Sequence, residues 1–493
     1  MPPGRAHYRL TFAVLSSGAF GFSLLQSLVI PAIPTIQHEL RTSASAASWL
    51  LTSYLLSAAV ATPIAGRLGD MLGKARVLVV TLVLLALGTL VCALSSSISL
   101  MIFGRAVQGL AGGVFPLAYG IIRDEFPHER VAGAIGLVSA ILGIGTGVGV
   151  VVAGPVIDHL SYHWLYWAPL VLVVAACALT AAFVPESPVR SPGAVNWTGA
   201  ALMSAWLVAL LLGMSEAPEW GWTNPTVLGL FAASAVVALA WARSERRSTH
   251  PLVDIAMLRI PAVWRTNLSG LLLGAGMYTF FIIVPNFVQT PRSSGYGFSA
   301  SVTGAGLFLL PLAVTMLASA LLAGRLTARF GSKALLVAGC TLSAAAFVLL
   351  VGASGAPLDF YLSSALAGVG IGLGFASMTN LVVAAVPHRQ TGVATAMNSN
   401  LRSIGGALGT GISTSIIVSS LLASGLPSEH GYALAFLLCA VLLVAAALAS
   451  LSLASDRRER VETVGAPPRV VSPDKAGPIE VETAPATASW PPR

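Results

Sequence analysis

The segment GRLGDMLGKARVL at residues 66–78 returns as GRLTARFGSKALL at residues 324–336, 258 positions further along the chain. Both copies begin where a long apolar block ends, and both mix Gly with Lys and Arg. A shorter echo sets PHER at 127–130 against PHRQ at 387–390. A chain that repeats itself at such a distance carries two related halves, and in a membrane protein such halves pack about a central site.

Outward from these copies the sequence is apolar almost everywhere. Of its 493 residues 56% are hydrophobic and 9% charged, and the mean hydropathy is +0.83. No water-soluble domain of this length could carry that surface. Apolar blocks run over 10–32, 45–66, 77–96, 98–122, 132–157, 164–184, 194–214, 225–242, 264–289, 301–324, 334–352, 358–386, 392–422 and 431–454. Each is close to the ~20 residues that cross a bilayer as a helix, and none shows the alternation of β-barrel strands. The expected fold is an all-α membrane protein with fourteen spans. The N-terminal MPPGRAHYRL leads into a run too long for a signal-peptide core and without an A-x-A end, so it reads as the first span.

Charge sets the expected topology. The formal charge of +8 arises from basic residues scattered singly between apolar blocks, which argues against nucleic acid as a partner. With both termini cytoplasmic, the loops divide their Lys and Arg 15 to 2 in favour of the cytoplasm, only Arg41 and Arg292 falling outside. One miscounted span would invert every later loop and erase this bias. A multi-pass protein of the cell membrane is therefore expected. Cys92, Cys177, Cys340 and Cys439 lie inside apolar blocks without metal-ligand spacing, so neither a metal nor a cofactor is expected. His159 and His163 beside Asp158 have i, i+4 spacing, but DHLSYHWLYW reads as an interfacial aromatic belt.

The first copy resembles the signature loop of the major facilitator superfamily, a Gly-x-Leu-x-Asp-x-x-Gly-[Arg/Lys] pattern matched by Gly66, Leu68, Asp70, Gly73 and Lys74. SWLLTSYLLSAAVATPIAG, with Trp49, Tyr54 and Pro63, is similar to that family's second span. FGRAVQGLAGG resembles its Arg-x-x-Gln-Gly motif through Arg105, Gln108 and Gly109. HPLVDIAMLR at 250–259 looks like the amphipathic hairpin of the fourteen-helix drug-efflux branch. Two departures stand out: Val150 follows Gly149 where that branch places Pro, with a Pro only at 155, and Gln26 stands in span one near the site of an Asp. The resemblance implies the major facilitator fold: a cytoplasmic N-terminus at 1–9, a six-helix bundle at 10–190, two added helices at 191–248, a second six-helix bundle at 249–454 with its preceding amphipathic segment, and a disordered cytoplasmic tail at 455–493.

Several residues are candidates for the mechanism. Arg67, Lys74 and Arg76 are expected in water or at headgroups, and Asp70 at a helix N-terminus beside them. The resemblance implies that Asp70 latches the two halves; the second copy, with Gly324, Arg325, Gly331 and Lys333, has Ala328 at the matching position. Arg105 and Gln108, one turn apart, should face a wet cavity or bond the carbonyls of a neighbouring helix. Arg402 is expected to snorkel to the cytoplasmic surface. Asp124, Glu125 and Asp158 are candidates for proton handling. Gly143, Gly145, Gly147 and Gly149 form overlapping GxxxG pairs, continued by Gly154 and Pro155, suited to tight packing or to a sliding surface. Gln26, Tyr54, Tyr278, Phe281, Asn286 and Asn380 could line a chamber for apolar cargo.

The function expected is export of drugs or small amphipathic metabolites by alternating access, with protons as the driving ion, a small molecule and the lipid bilayer as the partners, and a monomer as the working unit. A facilitator or importer without proton antiport, and a lipid-modifying membrane enzyme, are the alternatives. The sequence contains no H-E-x-x-H, G-x-S-x-G or GxxxxGK[ST] pattern to support an enzyme or an ATP-driven pump.

Overall fold

The computed structural model describes residues 8–187, 196–249, 251–387, 390–420 and 426–453. The tail from 455, the boundary at 190 and two residues of the second echo, His388 and Arg389, lie outside the described residues. Fourteen helices are long and apolar enough to cross a membrane. The first seven are α1 (Tyr8–Leu28), α2 (Ala44–Leu72), α3 (Lys74–Leu94), α4 (Ile98–Glu125), α5 (His128–His159), α6 (Trp164–Phe183) and α7 (Trp197–Trp220). The second seven are α8 (Pro225–Arg247), α9 (Pro261–Gln289), α10 (Val302–Phe330), α11 (Ser332–Gly352), α12 (Pro357–Ala385), α13 (Thr391–Val418) and α14 (Glu429–Leu451). A 3-10 turn at Leu110–Gly113 interrupts α4.

Local chemistry sets the ends of these helices. Ser43, Ser97, Ser301 and Ser428 each accept a backbone N–H of the first turn, and Asn224 does so ahead of Pro225, whose missing N–H costs nothing at that position. The segment at 66–78 is not the open loop expected. α2 continues to Leu72 and α3 starts at Lys74, leaving Gly73 alone between them with φ +117°. Gly331 makes the same break between α10 and α11 with φ +82°. The repeated Gly is thus the residue that permits a left-handed backbone between two helices. Asp70 accordingly sits on the last turns of α2 and not at the start of its own helix.

The helices pair in the same way twice. In the first half α1 packs on α5 and α6, α2 on α4, and α3 on α4 and α6; in the second, α9 packs on α13 and α14, α10 on α12, and α11 on α12 and α14. The contacts between halves repeat as well, α5 against α10 and α2 against α13. The protein is therefore two six-helix bundles with α7 and α8 added. α7 packs on α2 and α13, at the seam, whereas only 17% of the apolar window of α8 is buried, which puts α8 at the periphery. Val80, Leu94, Val171, Val236 and Leu239 are exposed on the outer surface, as side chains facing lipid are. Helix α7 ends six residues later than the apolar block suggested, and so brings Glu216 and Glu219 into a spanning helix. The segment after α8 forms a single helical turn at Ile255–Leu258 rather than a hairpin, with Met257 of the turn and the preceding Leu252 and Val253 buried.

Candidate functional site

Three polar clusters follow from this packing, two along the seam and one inside the first bundle. The first is at the end carrying the Lys- and Arg-rich turns. There Gly66 of α2 meets Gly392 of α13 so closely that a Cβ on Gly66 would lie 2.7 Å from the Gly392 carbonyl oxygen. That approach brings Asp70 to the N-terminus of α13, where its Oδ2 accepts the Val393 N–H at 3.3 Å. The positive end of the α13 dipole faces the carboxylate there. Lys74 is not solvated as expected: it is 1% exposed, with Nζ 3.6 Å from Asp70 and 2.6 Å from Asp124. Asp124 also accepts a short hydrogen bond from the Ser187 hydroxyl. Next to it Arg123 donates to the Val386 carbonyl at 2.8 Å and to the Thr391 hydroxyl at 2.5 Å, both in the other half. Asn380, expected in the cargo chamber, instead donates to the Ala132 carbonyl at 3.2 Å and adds a further link between halves.

Glu186, which the sequence did not single out, completes this cluster. Its carboxylate accepts the backbone N–H groups of Ala75 and Arg76 at 3.2 Å each, capping α3, and occupies the space a Cβ on Gly73 would need. Arg76 remains 71% exposed, and its 3.6 Å pair with Glu186 adds little in water. In the second copy Arg325 and Lys333 take no part in such a network among the described residues, and Lys333 donates to the Leu453 carbonyl just after α14. Gly324 instead lies against Gly133 of α5.

The second cluster surrounds Arg105, which is fully buried. Its Nε donates to the Leu50 carbonyl at 3.0 Å, and its Nη1 to the Leu25 carbonyl at 3.1 Å and to Gln108 Oε1 at 2.7 Å. Gln108 in turn donates to Thr89 at 3.0 Å. The guanidinium lies 4.4 Å from the Tyr54 ring centre. Arg105 thus ties α1, α2 and α4 together from within the first bundle and does not open onto the central cavity.

That cavity is the third cluster. Phe22 and Gln26 of α1, Tyr54 and Thr62 of α2, Phe115 of α4, Tyr278 of α9 and Ser399, Asn400, Arg402 and Ser403 of α13 line it. Gln26 Nε2 donates to the Tyr278 hydroxyl at 3.2 Å, and Asn400 Nδ2 to the Ala59 carbonyl at 2.8 Å, each bond crossing between halves. Phe281 packs in the second bundle core and Asn286 is exposed, so neither lines the cavity. Arg402 corrects a further expectation. It does not snorkel but is 5% exposed against the cavity, its guanidinium 4.6 Å from the Phe375 ring centre. The free volume of about 50 Å3 holds a few waters, far below the ~300 Å3 or more that a drug-sized ligand fills. The cavity must widen to admit cargo.

The Gly run in α5 serves two partners. Gly145 and Gly149 pack on Ser23, Leu24 and Ser27 of α1, within one bundle, while Gly143, Gly147 and Gly154 face Met316, Ala313 and Thr303 of α10, in the other. Pro155 lies inside α5 without ending it. At the C-terminal end of α5 Asp158 accepts the Thr303 hydroxyl at 3.1 Å. In a nearby turn burial raises the Tyr162 phenol above its ordinary value, and its hydroxyl donates to the Ser95 carbonyl at 3.2 Å. Glu216, missed because the apolar block ended at 214, is 5% exposed in α7. All four cysteines are free thiols, and no cluster of His, Cys, Asp or Glu suited to a metal occurs among the described residues.

Two bundles with matching helix pairings, enclosing a polar cavity between them, define a membrane transporter of the two-bundle type. The chain belongs to the Major Facilitator Superfamily, whose family model matches residues 15–410. It is 30% identical over 422 residues to an uncharacterised MFS-type transporter of Mycobacterium tuberculosis, a match that takes in 84% of this chain and 60% of that protein. The chain therefore spans about three fifths of the length of that relative. It is also 30% identical over 410 residues, 82% of this chain and 74% of the relative, to the tetracenomycin C resistance and export protein of Streptomyces glaucescens. Among solved structures the human organic anion transporter MFSD10 covers 91% of this chain and all of its own, with a TM-score of 0.63 at 17% identity, a likeness of fold. Family and relatives are transporters and not enzymes.

Proposed function

We propose that the protein exports drugs or small amphipathic metabolites across the cell membrane by alternating access, driven by proton influx, with both termini in the cytoplasm. The observation that carries this reading is the narrow cavity at the seam, flanked on both sides by bonds that join the two halves. On the side of the basic turns the seal is Asp70, Arg123 and Asn380; on the other it is Gln26 with Tyr278. Breaking one set while keeping the other opens the cavity to one side only. The relative named for resistance and export supports the outward direction, and the 15 to 2 division of basic loop residues supports the orientation.

Proton coupling needs an acid whose surroundings change between states. Asp70 qualifies, because its partners lie in both halves: Lys74 in its own and the α13 N-terminus across the seam. Protonation removes the charge that both partners hold and so favours separation at that end. The test is transport of lipophilic dyes into inverted membrane vesicles. Accumulation that follows an imposed proton gradient and stops with a proton-collapsing agent supports antiport; transport indifferent to that agent leaves a facilitator.

A further inference from the structure

The cargo cavity contains one fixed charge, and it is positive. Arg402 is the only ionisable side chain carrying charge at neutral pH among the described residues that line it. Its Nη2 donates to the Ser399 hydroxyl at 3.3 Å and its face rests on Phe375, yet no carboxylate stands within ion-pair distance among the described residues. The three ion pairs found among the described residues all lie at the end with the basic turns. A second observation points into the same space. Tyr54 lines the cavity, and its hydroxyl is buried and has no hydrogen-bond partner among the described residues. Behind the Tyr54 ring sits a second buried guanidinium, that of Arg105.

A buried guanidinium without an acid is costly, as is an orphaned hydroxyl donor, and both costs vanish when an oxyanion occupies the cavity. A lipophilic cation would meet the opposite situation: two buried positive charges nearby and no acid to receive it. The remaining walls, Phe22, Phe115 and the rings of Tyr54 and Tyr278, offer flat apolar faces. Resting on the reading of this cavity as the cargo site, we propose that the transporter selects aromatic organic anions, carboxylates or ionised phenols, with Arg402 pairing the negative group and Tyr54 donating to it. An inside-negative membrane potential also assists the exit of such a cargo.

The test uses the purified full-length protein and three fluorescent probes: an aromatic carboxylate, its neutral methyl ester, and a quaternary ammonium of similar size. The carboxylate should bind about ten- to a hundredfold tighter than either of the others, the range expected for a buried charge-assisted pair. Arg402→Gln should erase the preference of acid over ester, and Arg402→Lys should retain it in large part. The wild-type comparison stands even where Arg402→Gln does not fold. Tighter binding of the cation, equal binding of acid and ester, or an acid preference that survives in Arg402→Gln overturns the proposal. Vesicle transport with the same probes separates this inference from the export reading. Arg402-dependent binding of the acid without its transport sinks export and leaves the selectivity; transport of the cation alone does the reverse.

Discussion

Replacing Asp70 by Asn keeps the shape of the seal and removes its charge. The gross attraction to Lys74 at 3.6 Å is about 4 to 5 kcal/mol at an effective dielectric constant of 20. Most of it does not count toward closure, since both residues are in the first half and Lys74 keeps Asp124 at 2.6 Å. What is lost across the seam is a charge-assisted bond to the Val393 N–H and the attraction of the α13 N-terminus, together about 1 to 3 kcal/mol. At about 2 kcal/mol the ratio of closed to open conformers at this end falls roughly thirtyfold. Spin labels at Arg76 and Arg329, both exposed on basic turns of opposite halves, report the separation. In a background without the four native cysteines, Asp70→Asn should convert a short distance distribution into one dominated by a longer component. An unaltered distribution would refute the latch and leave Asp70 as an internal partner of Lys74.

Other consequences follow from the packing. Arg105→Gln strips two carbonyls and Gln108 of their donor, and thermal unfolding in detergent should show a loss of about 2 to 4 kcal/mol; an unchanged midpoint would remove Arg105 from the scaffold. Gly147→Val drives a side chain into Ala313 across the seam and should slow transport more than it lowers stability, whereas Gly145→Val meets Ser23 inside one bundle and should do the opposite. Gly73→Ala imposes a Cβ on a φ of +117° and on the Glu186 carboxylate, so expression and unfolding temperature should both fall, with Glu186→Ala only partly relieving the defect.

The architecture was open to a reader of the sequence because lipid imposes it. Every span must be a long apolar helix, and the repeat of Gly66–Leu78 at Gly324–Leu336 marks equivalent corners of two bundles. The corners themselves were misread as solvated loops, because Lys74 draws its stability from Asp124, fifty residues away, which no local pattern announces. The GxxxG spacing did separate Gly143 and Gly147 from Gly145 and Gly149 onto different helix faces; which face meets which bundle is a tertiary fact. Arg402 looked close to the surface by position in its block, yet α13 bends no chain toward water there and buries it against Phe375. Glu216 escaped notice since Ser215, Glu216, Pro218 and Glu219 ended the apolar run, while α7 continues to Trp220. Phe281 and Asn286 share an apolar helix with Tyr278, but only Tyr278 turns toward α1.

Sided labelling of a cysteine placed in the cavity reaches the central claim most directly. Ser403→Cys, in a background without native cysteines, would be exposed to a membrane-impermeant thiol reagent in right-side-out and in inverted vesicles. Loosening the inner seal with Arg123→Gln should raise labelling in inverted vesicles alone, and loosening the outer contact with Tyr278→Phe should raise it in right-side-out vesicles alone. If both variants opened the cavity to the same side, or neither altered labelling, two halves tilting about a shared chamber would not describe this protein.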